Sequence, residues 1–155
     1  MLENHRSKIE GYGVVMEGMG LSPVAARVFV YLLFSQQDQA TFEDMVSYFK
    51  VSKSAISNAL KFLLAVNMIE SKTVGGQRKR YFHINFKKML DQQEMTSRFK
   101  NYCLMLDDIR ASRGLEDEFA QELNNVSSLY KMMIVEFPII LERWRQINMH
   151  NNTAV

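Results

Sequence analysis

The hydrophobic pattern of this chain changes period along its length. From Val24 to Phe34 every residue is apolar except Arg27. A helix that is hydrophobic all round is one that other elements surround, so the run predicts a buried central helix. Ser22-Pro23 marks its start. Serine can accept from free N–H groups, and proline at the first helical position lacks a donor that would be orphaned there anyway. Residues 3–17 also read as helical but carry Gly11 and Gly13. Each glycine costs about 1 kcal/mol against alanine inside a helix, which implies close packing against another backbone or a broken helix. No β-rich run precedes these glycines, so they are not a dinucleotide-binding fingerprint.

Helical spacing returns at Thr41. Threonine with Asp44 three positions on resembles a capping box, and Phe42, Met45, Val46 and Phe49 form one apolar face. Lys50-Val51 then turn tightly into Ser52, the next expected cap. The helix after it buries Ile56, Leu60, Leu63 and Leu64 and leaves Lys53, Ser54, Ser57, Asn58 and Lys61 outward. Met68–Val74 and Gln77–Ile84 switch to strand-favouring residues, and Gly75-Gly76 between them suits a two-residue hairpin turn.

The last third is helical again. A helix is expected from near Phe86, with Phe99, Cys103, Leu106 and Ile109 as its stripe and Ser112-Arg113-Gly114 as its end. Phe119, Leu123, Val126, Tyr130, Met133, Phe137, Ile140, Trp144 and Ile147 follow at alternating spacings of four and three, a heptad-type seam. A helix over that span is about 43 Å long at ~1.5 Å per residue. One small domain cannot cover it, which predicts a second copy as partner, in a two-fold homodimer. Pro138 cannot donate to the carbonyl of Ile134 and is expected to kink the helix.

Charge sharpens this picture. The 155 residues carry a net charge of only +2, but residues 50–88 hold nine cations against Glu70, so that segment is +8 and the remainder −6. A helix with a small polar face, followed by a hairpin flanked by Arg78, Lys79 and Arg80, is how a winged helix-turn-helix meets double-stranded DNA. Lysines supply phosphate contacts, while small hydroxyls and an amide allow close approach to base edges. The DNA-binding candidates are therefore Lys53, Ser54, Ser57, Asn58, Lys61, Arg78, Lys79 and Arg80.

Other chemistry is poorly supported. No uncharged run exceeds ten residues, well short of the ~20 a membrane helix needs, and the N-terminal residues lack a signal peptide's apolar core. A cytoplasmic protein with no membrane partner is the expectation. Cys103, the single cysteine, excludes an internal disulfide framework and reads as a buried structural thiol. His5, His83 and His150 are too scattered for a metal site, and His83 is expected on the hairpin facing solvent. There is no nucleophile–base–acid constellation and no phosphate-cradling glycine loop, so neither an enzyme nor a cofactor is expected. Tyr102, Tyr130, Phe137 and Trp144 could form an aromatic box for a quaternary ammonium ligand, but three of them lie on the seam, where packing explains them.

The chain resembles the MarR-type winged-helix regulators, nearest to their glycine-betaine-regulator (GbsR-like) branch. Gly20 to Ile84 carries the resemblance, and the helical order extends it over nearly the full chain. Val51-Ser52-Lys53-Ser54-Ala55-Ile56-Ser57-Asn58-Ala59-Leu60 resembles that branch's recognition-helix opening. Gly76-Gln77-Arg78-Lys79 stands where relatives often carry Asp-x-Arg; Gly76 replaces the aspartate, and Arg78 matches the family's minor-groove arginine. The resemblance implies a homodimeric regulator, a repressor or activator, on a near-palindromic operator. It leaves room for a small-molecule effector without naming one.

The expected fold is mainly α with a small β-hairpin. Residues 1–20 form an N-terminal dimerisation helix, 21–85 the winged helix-turn-helix, 86–150 a C-terminal helical dimerisation region and 151–155 a disordered tail. A winged-helix module that binds protein without touching DNA is the competing reading.

Overall fold

A computed structural model describes residues 2–35, 40–73 and 79–152, with side chains up to Asn148. The chain divides into two compact units, Met1–Met89 and Leu90–Val155.

The first unit begins with a 3-10 turn, Leu2–His5, and continues as α1 (Arg6–Gly18), α2 (Pro23–Phe34), β1 (Ala40–Thr41), α3 (Phe42–Phe49), α4 (Lys53–Ala65), β2 (Ile69–Thr73), β3 (Arg80–Ile84) and α5 (Phe86–Met89). Helix α2 is central, as its all-round apolarity requires: Ala25, Ala26, Val28, Phe29, Val30, Tyr31 and Leu32 are all buried. Helices α1 and α4 and strand β3 pack on it, bringing Ile9, Ile56, Leu60, Leu63, Phe82 and Ile84 into one core. Burial pushes the Tyr31 phenol up to about 12, helped by the nearby Asp44 charge. Pro23 sits at the start of α2, but Ser22 makes no side-chain capping bond. Its backbone carbonyl accepts from Ala26 N–H instead, so proline and burial set this helix start without the serine hydroxyl.

Helix α1 is unbroken through both glycines. The two differ in kind. A Cβ on Gly11 would meet nothing within 4 Å, whereas one on Gly13 would lie 2.8 Å from Cγ of Arg27. Arg27, the lone charge of α2, crosses α1 at this notch. It donates to the carboxylates of Glu10 and Glu17 and to the Pro23 carbonyl. These partners raise the guanidinium pKa, the Glu10 hydrogen bond most.

The sheet has three antiparallel strands in the order β1-β3-β2. β2 and β3 form the expected hairpin, with Ile69 opposite Ile84 and Thr73 opposite Arg80. The Gly75-Gly76 turn lies outside the described residues. β1 was not expected: Ala40 pairs with Phe82 and Thr41 with Tyr81. Two residues are too few to show a period of two.

The second unit is an antiparallel pair of helices, α6 (Gln92–Arg113) and α7 (Glu118–Asn152). One helix starting near Phe86 is not what forms. Four-residue α5 ends at Met89, and Asp91 caps a new helix by accepting from Glu94 N–H at 2.9 Å. Gly114, in the left-handed region at φ 61°, ends α6 as expected. Cys103 and Leu106 are buried on α6 and Phe99 is half-buried, but Ile109 is exposed. Three residues on from Leu106, it rotates past the edge of the stripe, and Arg110 takes the inner position.

The heptad seam of α7 divides. Leu123, Tyr130 and Phe137 turn toward α6, where Tyr130 and Phe137 meet Phe99 edge-on and Tyr130 also meets Tyr102. Phe119, Val126, Met133, Ile140, Trp144 and Ile147 remain exposed. Ala120, Ser127 and Leu141, absent from the expected seam, are buried in their place. Ser127 donates to Asp107 at 2.7 Å, and Lys131 reaches the same carboxylate. Hydrogen bonds from Lys131 and then Ser127 hold Asp107 below the usual carboxylate range. Cys103 Sγ lies 3.5 Å from the Ser127 carbonyl, a buried free thiol. The helical assignment runs through Pro138 and on to Asn152, so the tail expected from 151 shares its first two residues with α7. Among the described residues no helix is long and apolar enough to cross a membrane.

The glycines give a paired prediction. Gly11→Ala should stabilise the protein by about 0.5–1 kcal/mol through helix propensity. Gly13→Ala should lose that gain, because its methyl group displaces Arg27 from three acceptors. Urea melts of both variants measure the difference, and equal stabilisation would show that the notch has no role.

Candidate nucleic-acid interface

The helix-turn-helix is α3, the turn 50–52 and α4. Its first helix starts on a complete capping box: Thr41 Oγ1 accepts from Asp44 N–H at 3.2 Å, and Asp44 accepts from Thr41 N–H at 2.9 Å. Two of the four free N–H donors of a helix start are thereby satisfied. Met45 is buried and Phe42, Val46 and Phe49 pack partly against the core, as expected. Tyr48, on the same helix, is also buried. Lys50 ends α3 in the left-handed conformation at φ 54°. That conformation reverses the chain in few residues, so Ser52 can cap α4 by accepting from Ala55 N–H at 3.2 Å.

Helix α4 buries Ile56, Ala59, Leu60 and Leu63, with Leu64 half-buried. Lys53, Ser54, Asn58 and Lys61 are exposed, as their spacing predicts. Ser54 lies 3.0 Å from the Ser52 hydroxyl. Ser57 is half-buried and lines a groove formed by α3, α4, Lys79 and β3. The groove encloses about 420 Å³; Phe42, Leu60, Leu64 and Phe82 supply its apolar lining, and Lys61, Lys79 and Arg80 its cations. Glu43 is its only acid among the described residues. The groove thus brings four of the eight candidates, Ser57, Lys61, Lys79 and Arg80, together.

The remaining cations of the basic segment are not equivalent. Arg80 donates to Ser71 Oγ at 2.8 Å and lies 5.8 Å from the Phe82 ring centroid, so it is held along the sheet. Lys88 is engaged by Glu70 at 3.2 Å. Glu70 also accepts from Asn85 Nδ2 at 2.6 Å, and His83 Nε2 lies 3.7 Å away. The Asn85 hydrogen bond, then Lys88, keeps Glu70 below the usual carboxylate range. His83 is therefore half-buried beside an acid, not facing solvent. Cross-strand register, which places Glu70 opposite His83, was the signal that could have located this cluster. Arg78 lies outside the described residues.

These features define a winged helix-turn-helix fold followed by two long helices. A crystallised transcriptional regulator has this fold, with a TM-score of 0.77 over 92% of this chain and 99% of that one, at 21% identity. Looser similarity extends to the S. aureus MepR–DNA complex, at 16% identity, 84% and 94% coverage and a TM-score of 0.44. It extends also to a MarR transcriptional regulator from Methanosarcina mazei Go1, at 16% identity, 89% and 94% coverage and a TM-score of 0.41. No protein-family model and no curated protein sequence matches the chain.

The cap of α4 is separable from its outward face. Ser52→Ala should cost about 1 kcal/mol, since it frees an N–H donor at the helix start. Ser54→Ala should stay within about 0.5 kcal/mol, as for an ordinary surface site. Chemical denaturation of the two variants tests the assignment; a larger loss for Ser54 would reverse the roles.

Proposed function

We propose that the protein is a dimeric, sequence-specific DNA-binding transcription regulator of the MarR type, closest to the GbsR-like branch, acting as a repressor on a near-palindromic operator. The observation that carries this reading is the cationic side of the first unit. Lys53, Lys61 and Lys79 have no ion-pair partner among the described residues, and they lie on the helix and wing base that a winged helix offers to DNA. Clustered free cations repel one another, and phosphates relieve that repulsion with release of counterions.

In this reading Ser54, Ser57 and Asn58 approach base edges, Lys53 and Lys61 contact phosphate, and Lys79 continues the contact at the wing. Arg80 acts by bracing the strand as well as by charge. Arg78 keeps the minor-groove role that the sequence motif suggests, since a narrow groove concentrates negative potential. An enzymatic role has no support from this site.

Dimerisation is supported by the second unit. Val126, Met133, Ile140, Trp144 and Ile147 of α7 stay exposed beside Met132 and Val135. Monomeric proteins rarely leave an apolar surface of that extent to water. The seam residues Phe119, Leu123, Val126, Tyr130, Met133, Phe137, Ile140, Trp144 and Ile147 then serve two purposes, one part closing α6 onto α7 and the other meeting a second copy. Residues 1–20 would add to the same interface. Two recognition helices about 34 Å apart would match one turn of DNA and hence a near-palindrome.

Two measurements test the reading. Fluorescence-anisotropy titration against promoter fragments should give a log–log salt slope of about −5 to −9 for 6–10 phosphate contacts. Lys61→Ala should make that slope shallower by about 1 for each phosphate it leaves without a cation. DNA binding that ignores salt, or none to any promoter fragment, would sink this reading, and a protein-partner pull-down that survives removal of Lys53, Lys61 and Arg78 would favour the protein-interaction module instead. Sedimentation equilibrium should give a dimer for the native chain and a monomer for Ile140→Glu; a native monomer would remove the two-helix geometry.

A further inference from the structure

The N-terminal end of α1 is fastened to the far end of α3 by one side chain. Arg6 Nε and Nη2 donate to the two carboxylate oxygens of Glu3 at 2.8 and 2.7 Å. Nη2 also donates to the backbone carbonyl of Tyr48 at 2.9 Å, across 42 residues of sequence. The guanidinium carbon lies 4.1 Å from the centroid of the Tyr48 ring, and Tyr48 Oη donates to the Leu2 carbonyl at 3.4 Å. The Tyr48 ring is itself wedged against Tyr31 and Phe49, both with centroids 4.9 Å away.

Tyr48 stands at a sensitive place. It is in the last turn of α3, where carbonyls run out of intrahelical partners. The capping N–H of Lys50 takes the Val46 carbonyl, and Arg6 takes that of Tyr48. The left-handed Lys50 stands two residues on, and Ser52, two residues further, caps α4. A cation at a helix C-terminus is also favoured by the helix dipole. Lysine cannot reproduce the arrangement, because only a planar fork can satisfy a carboxylate, a carbonyl and an aromatic face together.

We propose that Arg6 is a positioning residue for DNA reading: by holding the Tyr48 carbonyl and ring, it fixes the turn between α3 and α4 and so the presentation of the recognition helix. It touches no DNA itself. The start of α1 and the angle of α4 become one mechanical unit, so withdrawal of the N-terminal turn loosens the reading head. The DNA part of this inference rests on the proposed regulator function; the fastening of the turn does not.

Hydrogen exchange on the full-length protein, followed by duplex titration, tests it with Arg6→Lys, Arg6→Ala and Tyr48→Phe. The protected amides flanking the turn, Lys50 on the Val46 carbonyl and Ala55 and Ile56 on Ser52, should exchange about tenfold faster in both Arg6 variants, the effect of removing one charge-assisted hydrogen bond, while amides inside α2 stay as they were. Tyr48→Phe retains ring and carbonyl and should change the turn little. Duplex affinity should fall about five- to tenfold in Arg6→Lys and Arg6→Ala, and the salt slope should stay unchanged in Arg6→Ala, because every phosphate keeps its cation. Unchanged exchange at Lys50, Ala55 and Ile56 overturns the proposal, and so does uniform acceleration across α2, the mark of general destabilisation. A shallower salt slope overturns it too, by placing Arg6 on phosphate. If the native protein binds no duplex, the regulator reading fails while the exchange result still decides the fastening. Should Arg6→Ala not fold, Arg6→Met, which keeps the length of the side chain but neither donor nor charge, gives the same decision.

Discussion

The first unit depends on covering α2. A helix that is apolar on every side gains its stability only when it is enclosed, and each large side chain removed from water contributes roughly 1.5–3 kcal/mol before entropy is counted. Enclosure from several directions needs several elements. Ile9 comes from α1, Ile56 and Leu63 from α4, Phe82 and Ile84 from β3. Two of the elements that line the groove, α4 and β3, are thus both anchored to the same helix. Their outward residues inherit a relative placement from the core beneath them. Arg27 is the exception that α2 can tolerate, because Gly13 leaves room for its stem and two carboxylates receive its charge.

Much of this was legible because the signals were local and periodic. The capping box at Thr41, the cap at Ser52, the outward face of α4 and the stop at Gly114 each depend on residues a few positions apart. The failures share a different cause. β1 is two residues long and exists only because β3 has an open edge. The break before α6 depends on the Asp91 cap, which the apolar spacing on either side disguised. The seam on α7 looked single because two adjacent faces, one for α6 and one left exposed, share its heptad rhythm. Ser57 is half-buried where α3, α4 and the wing base line one groove, an arrangement no local spacing shows. Arg6 and Tyr48 carry no pattern at all in one dimension, being joined across 42 residues.

Charge shows the same division between local and assembled information. The cations of residues 50–88 look alike in sequence, but folding sorts them. Lys88 is neutralised by Glu70, and Arg80 is tied to Ser71, whereas Lys53, Lys61 and Lys79 stay available. A net charge of +8 therefore overstates what the surface offers and understates how specifically it is placed. The acid that engages Lys88, Glu70, is the only one in the segment, and it sits on a strand beside His83 and Asn85.

Thr41 belongs to two structures at once. It is the last rung of the sheet, opposite Tyr81, and the cap from which α3 departs. A strand that slips by one residue turns every side chain to the opposite face; here the same slip would also carry the cap away from Asp44. Wing and helix consequently share one register lock. Neither can melt alone at low cost, so the small sheet borrows cooperativity from a helix with which it otherwise has little in common, and a wing base of so few residues holds its alignment.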